Sequence, residues 1–433
     1  MTRMRAMAGT LTDARPSRKR HTRIRSFTIP ADNRWMETCG LVLAGGGARG
    51  AYEAGVLYYL YCDGPAELRE RAQFKVLCGT SVGAINVSAL AASTTNATVG
   101  VRRLVDLWRG LSLGSLLPMG MGDILSIPAW LLGRRNRDSL LPGAGVKDFI
   151  NDSIDWEQIH RNLATGVLAG VSLSCTHVPT GRTVVFYETR DGRSRPWSRD
   201  PHVVAIHTRL GPAHARASAA IPLLFPPVSI DGIPYVDGGL RQNTPLSPAL
   251  RLGSNRILVV GVSHEKVRQD HLTSSGTPID AIGRPIFMAG KVLNALMLDH
   301  VDYDLIRLEH FNQLMADGER AFGRDFVDRL NHVLHGQRGA KYRQIPHLTL
   351  RPSKDLGAMA ADYARSARFR RDSSFTARIM RSLARAEPRT EADLTSYLLF
   401  DGGYAEQLVE LGMNDAAHRR EELLRFFDAP VEA

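Results

Sequence analysis

The sequence lacks the features of membrane-spanning, secreted and disulfide-bonded proteins. None of its apolar runs approaches the roughly 18–20 residues of a membrane helix. Residues 1–33 are rich in arginine and contain no apolar stretch of the kind found in a secretory signal. The four cysteines are scattered, with no Cys-x-x-Cys pair, which argues against a disulfide framework or a cysteine metal site. We therefore expect a cytoplasmic protein with free thiols and no metal.

A glycine-flanked serine stands between a predicted strand and a predicted helix. The run Phe74–Cys78 is mostly apolar, and Ala84–Ala92 is rich in alanine without proline. Between them, Gly79-Thr80-Ser81-Val82-Gly83 is typical of a nucleophile elbow, a tight turn that exposes the serine hydroxyl. This pattern indicates acyl transfer through a covalent serine intermediate. The structural alternative, in which Ser81 only caps the following helix, stays equally open on these five residues alone.

A second glycine-rich stretch, Gly45-Gly46-Gly47-Ala48-Arg49-Gly50 (the glycine loop), follows the apolar run Leu41–Ala44 and opens a predicted helix over Ala51–Tyr61. Backbone N–H groups in such a loop bind an anion, either a pyrophosphate or the oxyanion of a tetrahedral intermediate. A dinucleotide site also needs an acidic residue at the end of the second strand, where this chain has Ser81. The sequence therefore favours an oxyanion hole over a dinucleotide site, with a tight helix entry as the structural alternative.

An aspartate ends a short apolar stretch further along the chain. Asp231-Gly232 predicts a hairpin turn, and Asp237 closes the second strand of that hairpin, followed by Gly238 and Gly239. A carboxylate at a strand end with no side chains behind it can lie close to another element. An ordinary Asp-Gly turn is the commoner use of such residues, so Asp237 becomes a candidate only together with the other motifs.

These three motifs, in this order, resemble those of the patatin-like phospholipases. The segment Ala217–Val228 also resembles the stretch that leads into the aspartate of that family, and the resemblance covers residues 40–262. It implies a serine–aspartate dyad without histidine, in which Ser81 is the nucleophile and Asp237 the base. It further implies an oxyanion hole on the backbone of the glycine loop, lipid ester substrates, and no metal or organic cofactor. Within the loop, Arg49 either meets an anionic head group or packs the loop.

A dyad is chemically reasonable without the resemblance. A serine hydroxyl needs a proton acceptor within hydrogen-bond reach, and any group with a suitable pKa will serve. A carboxylate is a weak base at neutral pH, but desolvation in an apolar cleft raises its pKa toward the working range. We therefore expect the aspartate of the dyad to be buried.

Two other functions remain open at this stage. An α/β-hydrolase triad places its histidine last in the chain, and His264, just after the apolar run Ile257–Val262, is the best candidate among 14 histidines. A non-catalytic lipid- or protein-binding scaffold would leave the dyad unused. A second Asp-Gly-Gly, at Asp401, leads into a helix without a preceding hairpin, which predicts a helix junction instead of a base.

The order of elements predicts an α/β fold with a patatin-like three-layer α/β/α sheet and a mainly helical C-terminal extension. After the sheet we expect a long helix over Ala281–Ala316 broken at Pro285, another over Arg320–His335, and a strand within Ile345–Leu350. The predicted divisions are a basic disordered tail (1–36), a patatin-like catalytic domain (37–265) and a mainly helical C-terminal region (266–433).

The positive charge of the chain suggests a membrane surface as a partner. The formal net charge is +11, and part of the excess lies in the N-terminal tail and around residues 365–371. Arginines are not gathered on a nucleic-acid-reading element, so we expect no nucleic acid partner. The apolar segment Ile124–Leu132, with Arg134 and Arg135 at its edge, is typical of an interfacial anchor on anionic lipid, although a buried helix is the commoner use of such a segment.

Overall fold

One mixed sheet organises the protein in a computed structural model. The residues described are 38–116, 143–195, 197, 200–222, 224–264, 285–334, 342–388 and 392–428. The predicted basic tail and the predicted interfacial segment at 124–135 lie outside these ranges. Within them, no helix is both long enough and apolar enough to cross a bilayer.

Nine strands of the described chain form the sheet. Their bounds are β1 Cys39–Leu43, β2 Val76–Thr80, β3 Gly170–His177, β4 Thr183–Thr189, β5 Val203–His207, β6 Val228–Ile230, β7 Ile233–Asp237, β8 Arg256–Val260 and β9 His347–Leu350. The main order is β5-β4-β3-β2-β1-β8-β9, and β7 joins β3 and β6. Pairing is parallel except at β3–β4, β3–β7 and β6–β7, so the fold is α/β with a parallel-dominated sheet.

Helices flank the sheet and dominate the C-terminal region. Their bounds are α1 Ala51–Tyr58, α2 Ala66–Arg71, α3 Val82–Ser93, α4 Ala97–Arg109, α5 Leu113–Leu116, α6 Ala144–Ser153, α7 Trp156–Ala164, α8 Pro212–Ser218, α9 Leu246–Arg251, α10 Pro285–Phe322, α11 Phe326–Leu334, α12 Leu356–Arg365, α13 Ala367–Arg370, α14 Phe375–Ala386, α15 Asp393–Leu398, α16 Gly402–His418 and α17 Arg420–Asp428.

The apolar central strands separate two layers of core. Side chains alternate along a strand, so Leu41 and Leu43 of β1 face one layer while Val42 faces the other. The larger layer contains α1, α3 and α4 together with α12 and α16 from the C-terminal region. The smaller layer packs α9 and, from α10, Leu305 and Leu308 against the opposite face. Burial on both faces explains why the central strands are near-continuous apolar runs.

The C-terminal region also extends the sheet itself. The strand predicted within Ile345–Leu350 is β9, which pairs in parallel with β8 at the sheet edge. The predicted end of the long helix at Ala316 is wrong, because α10 continues to Phe322 and stops at Gly323, whose φ of +97° suits a glycine after a helix. Pro285 begins this helix in the described chain, a position where proline is well tolerated. The domain boundaries at residues 36 and 265 stay predictions.

The site is positioned by the way two strands meet along β3. Strand β2 pairs with Gly170–Ser174 of β3, and β7 pairs antiparallel with Cys175–His177, immediately beyond. Strands β2 and β7 therefore lie end to end beside β3, with their C-terminal ends facing each other. Thr80 ends β2 and Asp237 ends β7, so the residue that follows Thr80 emerges next to the aspartate.

Candidate active site

Ser81 occupies a strained turn between β2 and α3. Its φ of 55° and ψ of −125° are unusual for a residue with a side chain. Glycine is needed on both sides, because a Cβ on Gly79 would lie 2.3 Å from the Gly83 carbonyl oxygen, and one on Gly83 would lie 2.4 Å from that of Leu43. Ser81 precedes α3 but makes no side-chain capping bond to it, so the structural alternative of a helix cap does not hold.

The hydroxyl of Ser81 points at Asp237 instead. Its Oγ donates to Oδ2 of Asp237 at 2.5 Å, and both residues are almost fully buried, with 1% and 0% of their surface exposed. The other carboxylate oxygen, Oδ1, accepts from the backbone N–H of Gly239 at 2.7 Å. The structure thus brings two residues 156 positions apart in the sequence within hydrogen-bonding distance, which is the contact that general-base catalysis requires.

Burial changes the proton affinity of the aspartate. Desolvation raises the pKa of Asp237 from 3.8 to about 7, while the hydrogen bonds from Ser81 and from the N–H of Gly239 act in the opposite direction. Desolvation outweighs the two hydrogen bonds because the carboxylate is fully buried and no cationic side chain of the described residues lowers its pKa. A carboxylate with a pKa near 7 is a far better base at neutral pH than an exposed one.

Residues of the segment that precedes β7 hold the dyad in place. The Ser218 hydroxyl accepts from the backbone N–H of Ser81 at 2.9 Å and donates to the Ser174 carbonyl at 2.6 Å. The Asp237 N–H donates to the Ala220 carbonyl at 2.9 Å. In the sequence, the segment Ala217–Val228 was noted only for its resemblance to a family segment. Nothing there predicted that Ser218 would support the turn at Ser81.

Gly238 is required by the close approach of β3. A Cβ on this residue would lie 2.2 Å from the Ser174 carbonyl oxygen. Further along the chain, Gln242 links β2 to β3. Its backbone carbonyl accepts from the Thr80 hydroxyl at 2.9 Å, and its side-chain Oε1 accepts from the Ser174 hydroxyl at 3.1 Å. No recognised motif in the sequence marks Gln242.

The glycine loop packs directly against the serine. A Cβ on Gly45 would lie 2.9 Å from the Ser81 Cβ, and Asn243 fixes the loop by exchanging two 3.2 Å bonds with the backbone of Gly45. The N–H of Arg49 donates to the Gly46 carbonyl. The N–H groups of residues 46, 47 and 48 have no backbone acceptor within the described part of the chain, so they remain available as hydrogen-bond donors.

A buried polar network supports the far side of this loop. The Asn86 side-chain amide donates to the Gly50 carbonyl at 3.0 Å and to Glu53 at 2.8 Å, while its oxygen accepts from the Trp108 indole at 3.1 Å. Burial raises the pKa of Glu53 well above its ordinary value. The network connects α3 and α4 to the end of the loop, and the sequence did not predict the roles of Asn86, Glu53 or Trp108.

Of the two roles considered for Arg49, the structure favours packing. Its guanidinium contacts Asp393, Ser396 and Tyr397 of α15, and only 4% of the residue is exposed. These contacts hold the side chain within the protein.

An apolar cavity of about 50 Å³ adjoins Ser81. Its lining combines aliphatic and aromatic side chains with the serine itself. The lining residues are Gly47, Ser81, Val82, Ile85, Asn86, Trp108, Leu111, Leu116, Val146, Phe149, Ala219, Ile221, Phe225 and Phe400. Such a surface suits a hydrocarbon chain attached to a carbonyl at the serine.

The remaining candidates are bonded elsewhere. The Nδ1 atom of His264 lies 3.0 Å from the Pro352 carbonyl oxygen. Asp401 accepts from the Tyr363 hydroxyl and from the N–H of Gly403, at the start of α16, as a helix junction requires. Among the described residues, no group of three or more His, Cys, Asp or Glu side chains could hold a metal ion.

Comparison with known proteins gives a family match that covers a little less than half of the chain. Residues 41–250 match the model of the patatin-like phospholipases. Among solved structures, the chain is similar to the crystal structure of VipD from Legionella pneumophila, with 14% identity and a TM-score of 0.30 over 84% of this chain and 67% of that one. No curated protein matches the sequence. The domain formed by residues 41–250 of this chain belongs to the patatin-like phospholipase family.

Proposed function

We propose that the protein is a serine acyl hydrolase that cleaves carboxylic esters of lipids, as a phospholipase A or a nonspecific lipid acyl hydrolase. The observation that carries this proposal is the 2.5 Å hydrogen bond from the Ser81 hydroxyl to the buried Asp237. Labelling with a fluorophosphonate, followed by activity on a panel of phospholipids and p-nitrophenyl esters, tests it. A protein that neither reacts with the probe nor hydrolyses any ester would contradict the proposal.

In the acylation step, Asp237 accepts the proton of Ser81 as Oγ attacks the ester carbonyl carbon. The carbonyl oxygen becomes an oxyanion, which the free N–H groups of residues 46–48 stabilise in a water-poor environment. The tetrahedral intermediate then collapses. The ester C–O bond breaks, and Asp237 returns its proton to the leaving alcohol, leaving an acyl group on Ser81.

Deacylation repeats these roles with water as the nucleophile. Asp237 takes a proton from water, whose oxygen attacks the acyl carbon, and the same loop holds the second oxyanion. Ser81 regains its proton from Asp237 as the fatty acid leaves. No step requires a metal or an organic cofactor.

The acyl chain would occupy the apolar cavity beside Ser81. Its volume of about 50 Å³ is small compared with the roughly 300–1,000 Å³ of typical ligand pockets. A long chain can therefore enter only if lining side chains move apart. The aromatic side chains of Trp108, Phe149, Phe225 and Phe400 then limit the length of chain that fits.

Phe400→Ala is expected to shift the preference of the enzyme toward longer acyl chains. The smaller side chain enlarges the cavity, so the ratio of kcat/KM for p-nitrophenyl octanoate to that for the butyrate should rise about tenfold. Phe322→Ala, which truncates an exposed phenylalanine on α10, is the control and should leave the ratio unchanged. An unaltered ratio in both variants would show that the acyl chain binds elsewhere.

Two alternatives predict different results. An α/β-hydrolase triad requires a histidine that contacts Ser81, whereas His264 lies against the Pro352 carbonyl. A lipid- or protein-binding scaffold with an unused dyad would bind lipid but would not react with the fluorophosphonate. The short bond between Ser81 and a base with a pKa of about 7 favours catalysis over both.

We also propose peripheral contact with anionic membranes, through the segment Ile124–Leu132, for a protein that otherwise resides in the cytoplasm. Arg134→Glu with Arg135→Glu should weaken binding to vesicles containing phosphatidylglycerol about 30-fold or more, because each basic residue near the surface contributes about 1 kcal/mol. Hydrolysis of a soluble short-chain ester should change less than about twofold.

The matched control is Arg320→Glu with Arg329→Glu, which reverses two exposed arginines of the C-terminal helices. Vesicle sedimentation measures binding, with pure phosphatidylcholine as the neutral surface. Unchanged binding would return the segment to its structural alternative, a helix that packs on the sheet. A joint loss of binding, activity and thermal stability would lead to the same conclusion.

A further inference from the structure

Arg49 connects the glycine loop to a helix outside the family-matched domain. Its Nε donates to the Ser396 hydroxyl at 2.9 Å, and its Nη2 donates to Oδ1 of Asp393 at 3.0 Å. The guanidinium carbon also lies 4.3 Å from the centre of the Tyr397 ring. A planar guanidinium matched to three partners fixes the position and orientation of the side chain that bears it.

The backbone of the loop touches the same helix. Gly47 has a φ of +58°, and a Cβ there would lie 2.4 Å from the Tyr397 carbonyl oxygen. Gly47, which carries one of the free N–H groups, and Arg49, which follows them in the chain, are therefore both in contact with α15. Movement of this helix would displace the loop at Gly47 and Arg49 together.

The helix α15 is itself anchored at its first turn. The buried carboxylate of Glu387 accepts from the N–H groups of Leu394 and Thr395, each at 2.9 Å, and from the Thr395 hydroxyl. These bonds satisfy donors that a helix N-terminus otherwise leaves unpaired. In addition, Lys291 of α10 lies 3.3 Å from Oδ2 of Asp393. The support of the glycine loop thus extends through α15 into the C-terminal region.

The chain that follows α15 also reaches the proposed substrate site. Phe400, two residues after the end of the helix, lines the cavity beside Ser81. The segment Asp393–Phe400, which we name the brace, therefore contacts the glycine loop at one end and the cavity at the other. The family-matched residues 41–250 supply the dyad, but the brace lies more than a hundred residues beyond them.

We propose that the brace positions the oxyanion hole, with Asp393 and Ser396 as positioning residues that act through Arg49. The expected effect on catalysis rests on the proposed acyl hydrolase function, whereas the expected effect on the position of the glycine loop does not. The free N–H groups stabilise an oxyanion only when all of them point at it at hydrogen-bonding distance. Even small displacements of the loop therefore weaken the stabilisation of the oxyanion. The C-terminal region is, on this view, part of the catalytic unit.

Asp393→Asn and Ser396→Ala test the proposal in the full-length protein. Asp393→Asn replaces the charged partner of Arg49 by a neutral amide, and Ser396→Ala removes its hydroxyl partner, both with little change in volume. We expect kcat on a soluble p-nitrophenyl ester to fall about tenfold, with KM within about twofold. A trifluoromethyl ketone, which forms a charged adduct with the serine, should lose affinity by the same factor, because it depends on the same N–H groups. Asp317→Asn, which breaks an exposed ion pair with Arg320 on α10, is the control.

Hydrogen–deuterium exchange provides a readout that does not depend on activity. In the two brace variants, the hydrogen-bonded amides of Gly45 and Arg49 should exchange about tenfold faster than in the wild-type protein and in Asp317→Asn. If wild-type protein hydrolyses no ester, the proposed function fails, and the exchange data still decide whether the brace holds the loop. Unchanged exchange would overturn the proposal. Faster exchange with unchanged kcat and inhibitor affinity would overturn its catalytic part.

Discussion

Ser81→Ala is expected to lower kcat for ester hydrolysis by about 10³-fold or more and to abolish labelling by a fluorophosphonate. The expected loss is large because, among the described residues, Ser81 is the hydroxyl that donates to the Asp237 side chain. Ser218, the nearest serine in the hydrogen-bond network, donates its proton to the Ser174 carbonyl. Hydrolysis of a p-nitrophenyl ester and in-gel detection of the probe measure the two effects.

The matched control is Ser88→Ala, which removes a buried serine hydroxyl from α3, the helix that follows Ser81. Within the described part of the chain, that hydroxyl bonds to the Ala84 carbonyl, one turn earlier, so the variant should keep wild-type activity and labelling. Melting temperatures of both variants should stay close to that of the wild-type protein. Wild-type activity in Ser81→Ala would reject the serine hydrolase function at this site.

The local parts of the site could be predicted because each is encoded in a short stretch of sequence. Gly79, Gly83 and Gly238 are required because neighbouring backbone atoms approach them within van der Waals distance. The pattern of these glycines is visible in the sequence without a structure. The hairpin before Asp237 was likewise signalled by Asp231-Gly232, where both residues have a positive φ and Ile230 pairs with Ile233. Local geometry dominates these elements, so local residue types suffice to predict them.

The meeting of Ser81 with Asp237 depends on long-range pairing and was available only through a family resemblance. It requires β3 to be longer than β2, so that β7 can pair with the residues that β2 leaves free. Strand ends are the least reliable part of sequence interpretation, and β2 was predicted to end at Cys78 when it continues to Thr80. The contacts of the Arg49 side chain could not be predicted from the sequence either, because its partners on α15 lie more than 340 residues away.

Asp237→Asn is expected to reduce kcat/KM by about 10²–10⁴-fold, the range typical of a missing general base. Asparagine has nearly the same shape and its oxygen can still accept a bond from Ser81, but it cannot take up the proton. The wild-type enzyme should also show a base-limited pH profile. Because the pKa of Asp237 is raised to about 7, kcat/KM should fall about tenfold per pH unit below that value and level off above it. The variant should lose this dependence.

Stability against pH distinguishes a lost base from a lost fold. Burial raises the pKa of Asp237 in the folded protein from 3.8 to about 7, so the folded state binds the proton more tightly than the unfolded chain does. The resulting stabilisation is complete below about pH 4 and is lost as the pH rises to about 7. The neutral asparagine avoids the cost of burying a charge. Its melting temperature should therefore equal or exceed that of the wild-type protein at pH 8, and the difference should shrink toward pH 4.

His264→Ala completes the test of the base, because the dyad and the triad predict opposite results for the two variants. With Asp237 as the base, removing the imidazole breaks its contact with the Pro352 carbonyl, away from Ser81, so kcat/KM should change less than about threefold. A triad would instead make His264→Ala the severe variant, and its pH profile would follow the imidazole. Severe loss in His264→Ala together with an active, stable Asp237→Asn would therefore replace the dyad by a triad. Loss confined to Asp237→Asn, with its melting temperature retained at pH 8, would leave the buried carboxylate as the group that activates Ser81.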